Sequence, residues 1–174
     1  YMTINGNNGQ PLSGLDQSVK NFVTGSVVSV GKVPIPNYVW YACAVVAFMW
    51  FMWNKTTFGK NMFAVGSNPE AANVSGVNVA RTIILVHTLA GCLYGITGFI
   101  ESARISSNQA NTGLNYELDA IAACVIGGVS FVGGTGKISG VVMGVFILRI
   151  IFVALNFLSI NQNMQYVIKG LIIL

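Results

Sequence analysis

The sequence predicts an all-α fold, a polytopic transmembrane helical bundle with about five spans. Apolar residues make up 53% of the 174 residues and charged residues only 8%, whereas soluble domains carry about 25% charged residues. The charges (nine Lys or Arg, five Asp or Glu) flank long charge-free runs, which is typical of membrane spans. The cations sit singly, so the net charge of +4 indicates anchored loops and not a nucleic-acid-binding surface.

The first part of the chain, residues 1–35, predicts an extracytoplasmic segment with a short interfacial helix. Apolar residues recur at helical spacing from Leu15 onward, and Asp16 and Lys20 lie on the other side of the same helix. Gly25 weakens this helix, and the prolines that follow end it.

The remainder, residues 36–174, predicts the C-terminal part of a single transmembrane domain. Its first charge-free run, 36–53, has aromatic residues at both ends, as an interface-anchored span does. A later run is broken by glycines and predicts a short or bent span, supported by neighbouring protein. The predicted spans after the first are 82–100, 120–136 (the broken one), 138–160 and 164–174.

The cationic loops predict the orientation. The polar connection 54–81 holds three cations and one acid, which predicts a cytoplasmic loop. Residues 101–119 then lie outside, Lys137 lies inside and 159–164 lie outside. Neither end of the sequence resembles a natural terminus, so we expect a fragment whose earlier spans precede residue 1.

The sharpest local signal is a short helix inside the predicted cytoplasmic loop. Asn68 is a good N-cap, because its side chain accepts an orphan backbone N–H, and Pro69 fits the first helical position. Glu70 suits the positive end of the helix dipole, and Gly76 suits the left-handed residue that ends a helix. An ordinary surface helix and a docking element for a partner are equal alternatives on these grounds.

Three blocks of the sequence resemble one known family. Residues 58–72, FGKNMFAVGSNPEAA, are similar to the pattern F-G-[RK]-x-x-x-A-x-G-x-N-x-x-A-A of bacterial ABC-importer permeases for monosaccharides. Residues 116–123 with the paired glycines after them, and residues 165–170, resemble the same family in the same order. The resemblance covers residues 33–174.

This resemblance implies a multi-pass permease of the bacterial inner membrane that moves a monosaccharide, expected to be galactose or methyl-galactoside, into the cytoplasm. It implies three protein partners: an ATP-binding cassette ATPase subunit, a periplasmic sugar-binding protein, and a second permease copy that completes a homodimer. ATP hydrolysis would occur on the separate subunit, so the chain itself is not expected to be an enzyme. The helix that couples it to the ATPase would contain Asn68, Pro69, Glu70, Ala71, Ala72 and Gly76.

Polar residues at the predicted outer face are candidates for the pathway or its gate. Glu101 and Arg104 are three residues apart and can pair on one helix face or contact sugar or the binding protein. Asn108 and Gln109 can bond sugar hydroxyls, although outer loops are often polar. The resemblance adds a gate-forming region with Glu117 and Asp119.

Arg149 lies near the middle of a predicted span. A charge there costs roughly 2.5–3.5 kcal/mol on insertion scales, so its side chain must face protein or water and have a partner. Structural pairing and a pathway role are equal alternatives.

Two series of glycines at four-residue spacing predict close helix packing. Such spacing lets helix backbones approach each other in a membrane. The two series are Gly91 and Gly95, and Gly136, Gly140 and Gly144.

No catalytic, metal or cofactor site is predicted. The segment 133–137 (GGTGK) departs from the phosphate-loop pattern at Phe131 and Ile138, and the three cysteines lack metal-ligand spacing. The first alternative function is an ion- or proton-coupled secondary transporter, which usually needs acids within its spans. All five acids lie in predicted loops or at span ends, which disfavours that alternative. A second alternative to the importer is a non-transporting membrane scaffold.

Overall fold

The computed structural model describes residues 12–13, 16–26, 28–30, 33–108 and 111–173. Leu15 and Gln109 lie outside the described residues. Within them the elements are, in chain order, β1 (Leu12–Ser13), α1 (Gln17–Thr24), β2 (Val28–Val30), β3 (Val33–Ile35), α2 (Asn37–Lys55), α3 (Thr57–Ser67), α4 (Pro69–Val74), α5 (Val79–Ile105), β4 (Ser107–Asn108), α6 (Tyr116–Ile126), α7 (Ile138–Phe157) and α8 (Gln162–Ile173).

The chain forms two compact units. The first contains residues 1–49 and 83–112, and the second contains 50–82 and 113–174. In the first unit, α1 begins at Asp16, whose carboxylate accepts the N–H of Ser18 at 3.1 Å. The carbonyl of Phe22 accepts the hydroxyl of Tyr41 at 2.9 Å, and the two rings stack. These contacts fix α1 against the start of α2.

The helix predicted in the N-terminal segment is shorter than its apolar pattern. It ends at Gly25, whose backbone is extended, and β-branched residues beyond it pair as β2 and β3, with Val30 opposite Val33. β-Branched residues favour strands, so the apolar period of this segment belongs partly to a small antiparallel ladder. A second ladder joins β1 to β4, with Leu12 opposite Asn108.

Two of the described helices, α5 and α7, are long and apolar enough to cross a membrane. They have 27 and 20 residues, or about 40 Å and 30 Å at 1.5 Å per residue. The predicted helical membrane fold is confirmed. A third helix, α2, coincides with the predicted span 36–53, and the number of five spans stays a prediction.

The glycine-broken run 120–136 is only partly helical. α6 ends at Ile126 after 11 residues, roughly 16 Å of helix, which is too short to cross a hydrocarbon core of about 30 Å. Residues 127–137, here called the glycine loop, connect it to α7. Gly128, Gly133 and Gly134 have positive φ angles, which only glycine adopts readily.

The core of the second unit lies between α6, α7 and α8. Ala122 and Ala123 of α6 are buried against Leu148 and Phe152 of α7. The helices approach closely because Gly144 lies opposite α6: a side chain there would meet the carbonyl oxygen of Ala123. Because the backbones of α6 and α7 are in contact, only small residues fit on the facing sides of the two helices.

The polar connection 54–81 is more helical than its composition indicated. Besides the predicted short helix α4, it contains α3, which the sequence analysis did not identify. Thr56 starts α3, because its hydroxyl accepts the N–H of Gly59 at 3.2 Å.

Candidate partner-coupling site

The N-terminus of α4 is capped by the side chain of Asn68. Its carbonyl oxygen accepts the N–H of Glu70 at 3.0 Å and the N–H of Ala71 at 3.1 Å. Pro69 stands at the first helical position, where it has no N–H to leave unpaired. One side chain thus satisfies two of the orphan donors of the helix.

The C-terminus of α4 is closed by a Schellman motif. Gly76 donates its N–H to the carbonyl of Asn73, and Val77 donates its N–H to the carbonyl of Ala72, both at 3.0 Å. Gly76 has a φ of +84°, the left-handed conformation that this motif requires. Both ends of this two-turn helix are therefore closed by bonds from residues next to it.

The surface of α4 is almost entirely exposed. Ala72 is the exception: it is 4% exposed, and α4 packs on α3. Val74 is 90% exposed, so an apolar side chain stands at the surface, while Glu70 in the first turn adds an acid. α4 thus presents one apolar and one acidic side chain at its exposed surface.

The end of α3 touches the glycine loop through backbone atoms. A Cβ on Gly66 would lie 3.0 Å from the nitrogen of Gly134, and a Cβ on Gly133 would lie 2.5 Å from the carbonyl oxygen of Gly66. Beside this contact is a largely apolar cavity of about 330 Å³, lined in part by Phe63 and Val141.

A buried ion pair joins α6 to α8. Lys169 of α8 is 8% exposed and pairs with the carboxylate of Asp119. The ammonium nitrogen of Lys169 lies 4.8 Å from the ring centroid of Phe152 and 5.2 Å from that of Tyr166. Sequence reasoning missed the pairing role of Lys169, although a charge within an apolar run was the available signal. Glu117, two residues before Asp119, is exposed.

Glu101 and Arg104 pair with each other on α5. Two guanidinium nitrogens of Arg104 donate to the two carboxylate oxygens of Glu101, at 2.9 and 2.7 Å. This bidentate geometry agrees with the local-pairing alternative. Asn108 lies in β4, and its side-chain oxygen is buried without a hydrogen-bond partner among the described residues. All three belong to the first unit, whereas Asp119 belongs to the second.

The remaining predicted residues lie on α5 and α7. Arg149 is exposed on α7 beside Phe146 and Val153 and forms no ion pair within the part of the chain that the structure describes. Gly91 and Gly95 on α5 have no heavy atom within 4 Å of an added Cβ. On the other series, Gly140 lies against the backbone of Gly127, Gly144 against that of Ala123, and Gly136 against the side chain of Val129.

Long apolar helices joined by a polar connection define a class: helical membrane proteins. The chain belongs to the family described as branched-chain amino acid transport system permease components, whose model matches residues 2–174. Members of this family are components of transport systems, and the long apolar helices of the chain agree with a location in the inner membrane.

Curated relatives carry the names of sugar permeases. The chain is 49% identical to the galactose/methyl galactoside import permease protein of Salmonella typhimurium over 94% of the chain and 48% of the relative. It is 46% identical to the L-arabinose transport system permease protein of Escherichia coli (80% and 43%). It is 36% identical to the ribose import permease protein of Bacillus subtilis (99% and 53%). The chain thus spans about half the length of these relatives. No solved structure matches it significantly.

Proposed function

We propose that the chain is the C-terminal part of the transmembrane subunit of an ATP-driven importer that moves galactose or methyl galactoside into the cytoplasm. The family description speaks of branched-chain amino acids, whereas the three relatives above are named for monosaccharides. The 49% identity to a galactose/methyl galactoside permease favours that sugar. ATP would be hydrolysed on a separate subunit.

The observation that carries this proposal is α4. It is capped at both ends, exposed on its outer surface and packed on α3. A force applied by a partner can therefore displace α4 while its helical hydrogen bonds stay intact. An ATP-binding cassette subunit would bind α4 and displace it when ATP binds. A periplasmic binding protein would deliver the sugar on the opposite side, and a second copy of the permease would complete the pathway.

Contacts within each unit support the proposed orientation. In the second unit, α3 of the predicted cytoplasmic connection touches the glycine loop, whose last residue, Lys137, is predicted to lie inside. In the first unit, β1 pairs with β4, and both strands are predicted to lie outside. Segments assigned to one side of the membrane thus meet segments assigned to the same side.

Uptake into proteoliposomes tests the proposal. The vesicles contain the full-length permease, its ATPase subunit and trapped ATP or a non-hydrolysable analogue, and the binding protein is added outside with labelled galactose. We expect uptake with ATP only. Uptake that ignores ATP and follows an imposed proton or sodium gradient would overturn the proposal in favour of the secondary-transporter alternative.

A pair of variants tests the docking role of α4. Val74→Asp places a charge on the proposed docking surface, and we expect ATP-driven uptake to fall by about tenfold, as loss of roughly 1.4 kcal/mol of coupling predicts. Folding should be unaffected because surface changes usually alter stability by less than about 0.5 kcal/mol. Val74→Ile, which keeps the apolar contact, should retain uptake. Equal uptake by the two variants would contradict docking through this surface.

A further inference from the structure

We propose that the glycine loop (residues 127–137) is the relay that passes movement of α4 to α6 and α7. The contact between Gly66 of α3 and Gly133 and Gly134 of the loop carries the force. The inference rests on the proposed function, since it requires an ATPase that moves α4, and it adds the place where that movement enters the transmembrane helices.

The first step of the relay is the rigid connection of α4 to α3. Asn68 serves both helices: its N–H donates to the carbonyl of Ala64 at the end of α3, and its carbonyl accepts the N–H of Ala72 in α4, at 3.1 and 3.0 Å. One residue separates the two helices. A force on α4 therefore reaches α3 without a flexible linker to absorb it.

The second step is the backbone contact between α3 and the glycine loop. A side chain on Gly133 would lie 2.5 Å from the carbonyl oxygen of Gly66, and one on Gly134 would overlap Ser67. Gly133 and Gly134 also have φ angles of +99° and +72°, which disfavour other residues. Backbone in direct contact with backbone transmits displacement better than long side chains, which can change rotamer.

The third step lies inside the loop and at its exit. The N–H of Ser130 donates to the carbonyl of Thr135 at 3.1 Å, and the hydroxyl of Ser130 accepts the N–H of Val132 at 3.2 Å. These two hydrogen bonds stabilise the conformation of the loop. At its exit, Gly140 of α7 lies against the carbonyl of Gly127 at the end of α6, so α6 and α7 are driven together.

The cavity beside the contact provides room for this movement. Its volume is about 330 Å³, and residues of α3, the loop and α7 all line it. The cavity is partly open to the surface. Because this apolar cavity adjoins the glycine loop, the loop can move slightly while the packing between α6, α7 and α8 stays unchanged.

Coupling between hydrolysis and uptake tests the relay in the full-length permease with its ATPase and binding protein. Gly66→Val inserts a branched side chain into the contact, and Ala64→Val adds the same side chain at an exposed position of the same helix. We expect Gly66→Val to lower galactose uptake by about tenfold, a typical size for allosteric coupling, while binding-protein-stimulated ATP hydrolysis stays close to that of the wild type. Ala64→Val should retain both activities.

The outcomes separate the two proposals. Wild-type uptake with ATP establishes the proposed function before any variant is interpreted. If Gly66→Val then transports as many sugars per ATP as Ala64→Val, the relay is wrong and the importer function stands. A loss of both hydrolysis and uptake in a folded Gly66→Val complex would also overturn the relay, because it would indicate damage to ATPase docking.

Hydrogen exchange of the wild-type complex tests the relay without any variant, and so decides the matter if Gly66→Val fails to fold. Backbone amides of residues 127–137 are measured by mass spectrometry with and without a non-hydrolysable ATP analogue. We expect a change in exchange in the glycine loop together with one in α3, since displacement of the intact contact alters the backbone hydrogen bonds of both segments. A change confined to α3 and α4 would overturn the proposal.

Discussion

The ion pair between Asp119 and Lys169 holds α8 against α6, and its removal should have a measurable size. Lys169→Met keeps the length of the side chain and its packing on Phe152 and Tyr166 but removes the charge. The carboxylate of Asp119 then remains where its side chain is 25% exposed, beside a position whose side chain is 11% exposed. Asp119 thus loses its partner in a site that water reaches only in part.

The magnitude follows from this burial. Removal of one partner from a buried ion pair is destabilising by about 3–5 kcal/mol, because the other charge is left uncompensated. Water still reaches a quarter of Asp119, so we expect a loss nearer 2–3 kcal/mol. The lost contact of the ammonium with two rings adds about 0.5–1 kcal/mol. The double variant Asp119→Asn/Lys169→Met should recover most of the loss, because neither charge remains.

The assay is the apparent melting temperature of the full-length permease in detergent, at one heating rate because membrane proteins often unfold irreversibly. We expect Lys169→Met to melt lowest, the double variant to melt between it and the wild type, and Lys60→Met, at an exposed cation of α3, to melt like the wild type. A double variant no more stable than Lys169→Met would refute the buried-pair argument.

Three further predictions concern helix ends and helix contacts. Asn68→Ala removes the cap of α4 and should destabilise that helix by about 1 kcal/mol, seen as faster hydrogen exchange of its first amides; unchanged exchange would contradict the capping role. Gly76→Ala forces a side chain into a left-handed conformation, which costs roughly 1–2 kcal/mol, and should raise exchange at the other end of α4, whereas protection equal to the wild type would count against the Schellman motif. Gly144→Val overpacks the contact of α7 with α6, so the melting temperature should fall by the equivalent of about 1–3 kcal/mol; Gly98→Val, where no heavy atom lies within 4 Å of an added Cβ, is the control and should melt higher.

The sequence was most informative where structure depends on neighbouring residues. The caps of α4 could be predicted because Asn68, Pro69 and Gly76 each act on backbone groups within a few positions. α3 was missed because its eleven residues mix apolar, polar and glycine positions without a clear stripe. Thr56, which caps α3, was the local signal that could have found it.

Contacts between distant segments were beyond the sequence. Lys169 and Asp119 are fifty residues apart, and nothing local links them; only the general need of a buried charge for a partner pointed to such a pair. The same reasoning identified Arg149 as a residue in need of one. In the described part of the chain Arg149 has no ion pair and lies on an exposed surface of α7, whereas Lys169 is buried and paired.

Gly66 shows why a local view misjudges the coupling region. Glycine in a helix is less favourable than alanine by about 1 kcal/mol, so on sequence alone Gly66 is a weak point in α3. In the structure it is where the helix touches the glycine loop, and a single methyl group would meet the nitrogen of Gly134 at 3.0 Å. The local loss in helix stability is the condition for backbone contact between α3 and the glycine loop. A glycine that weakens its own helix can therefore permit a contact that a larger residue would block.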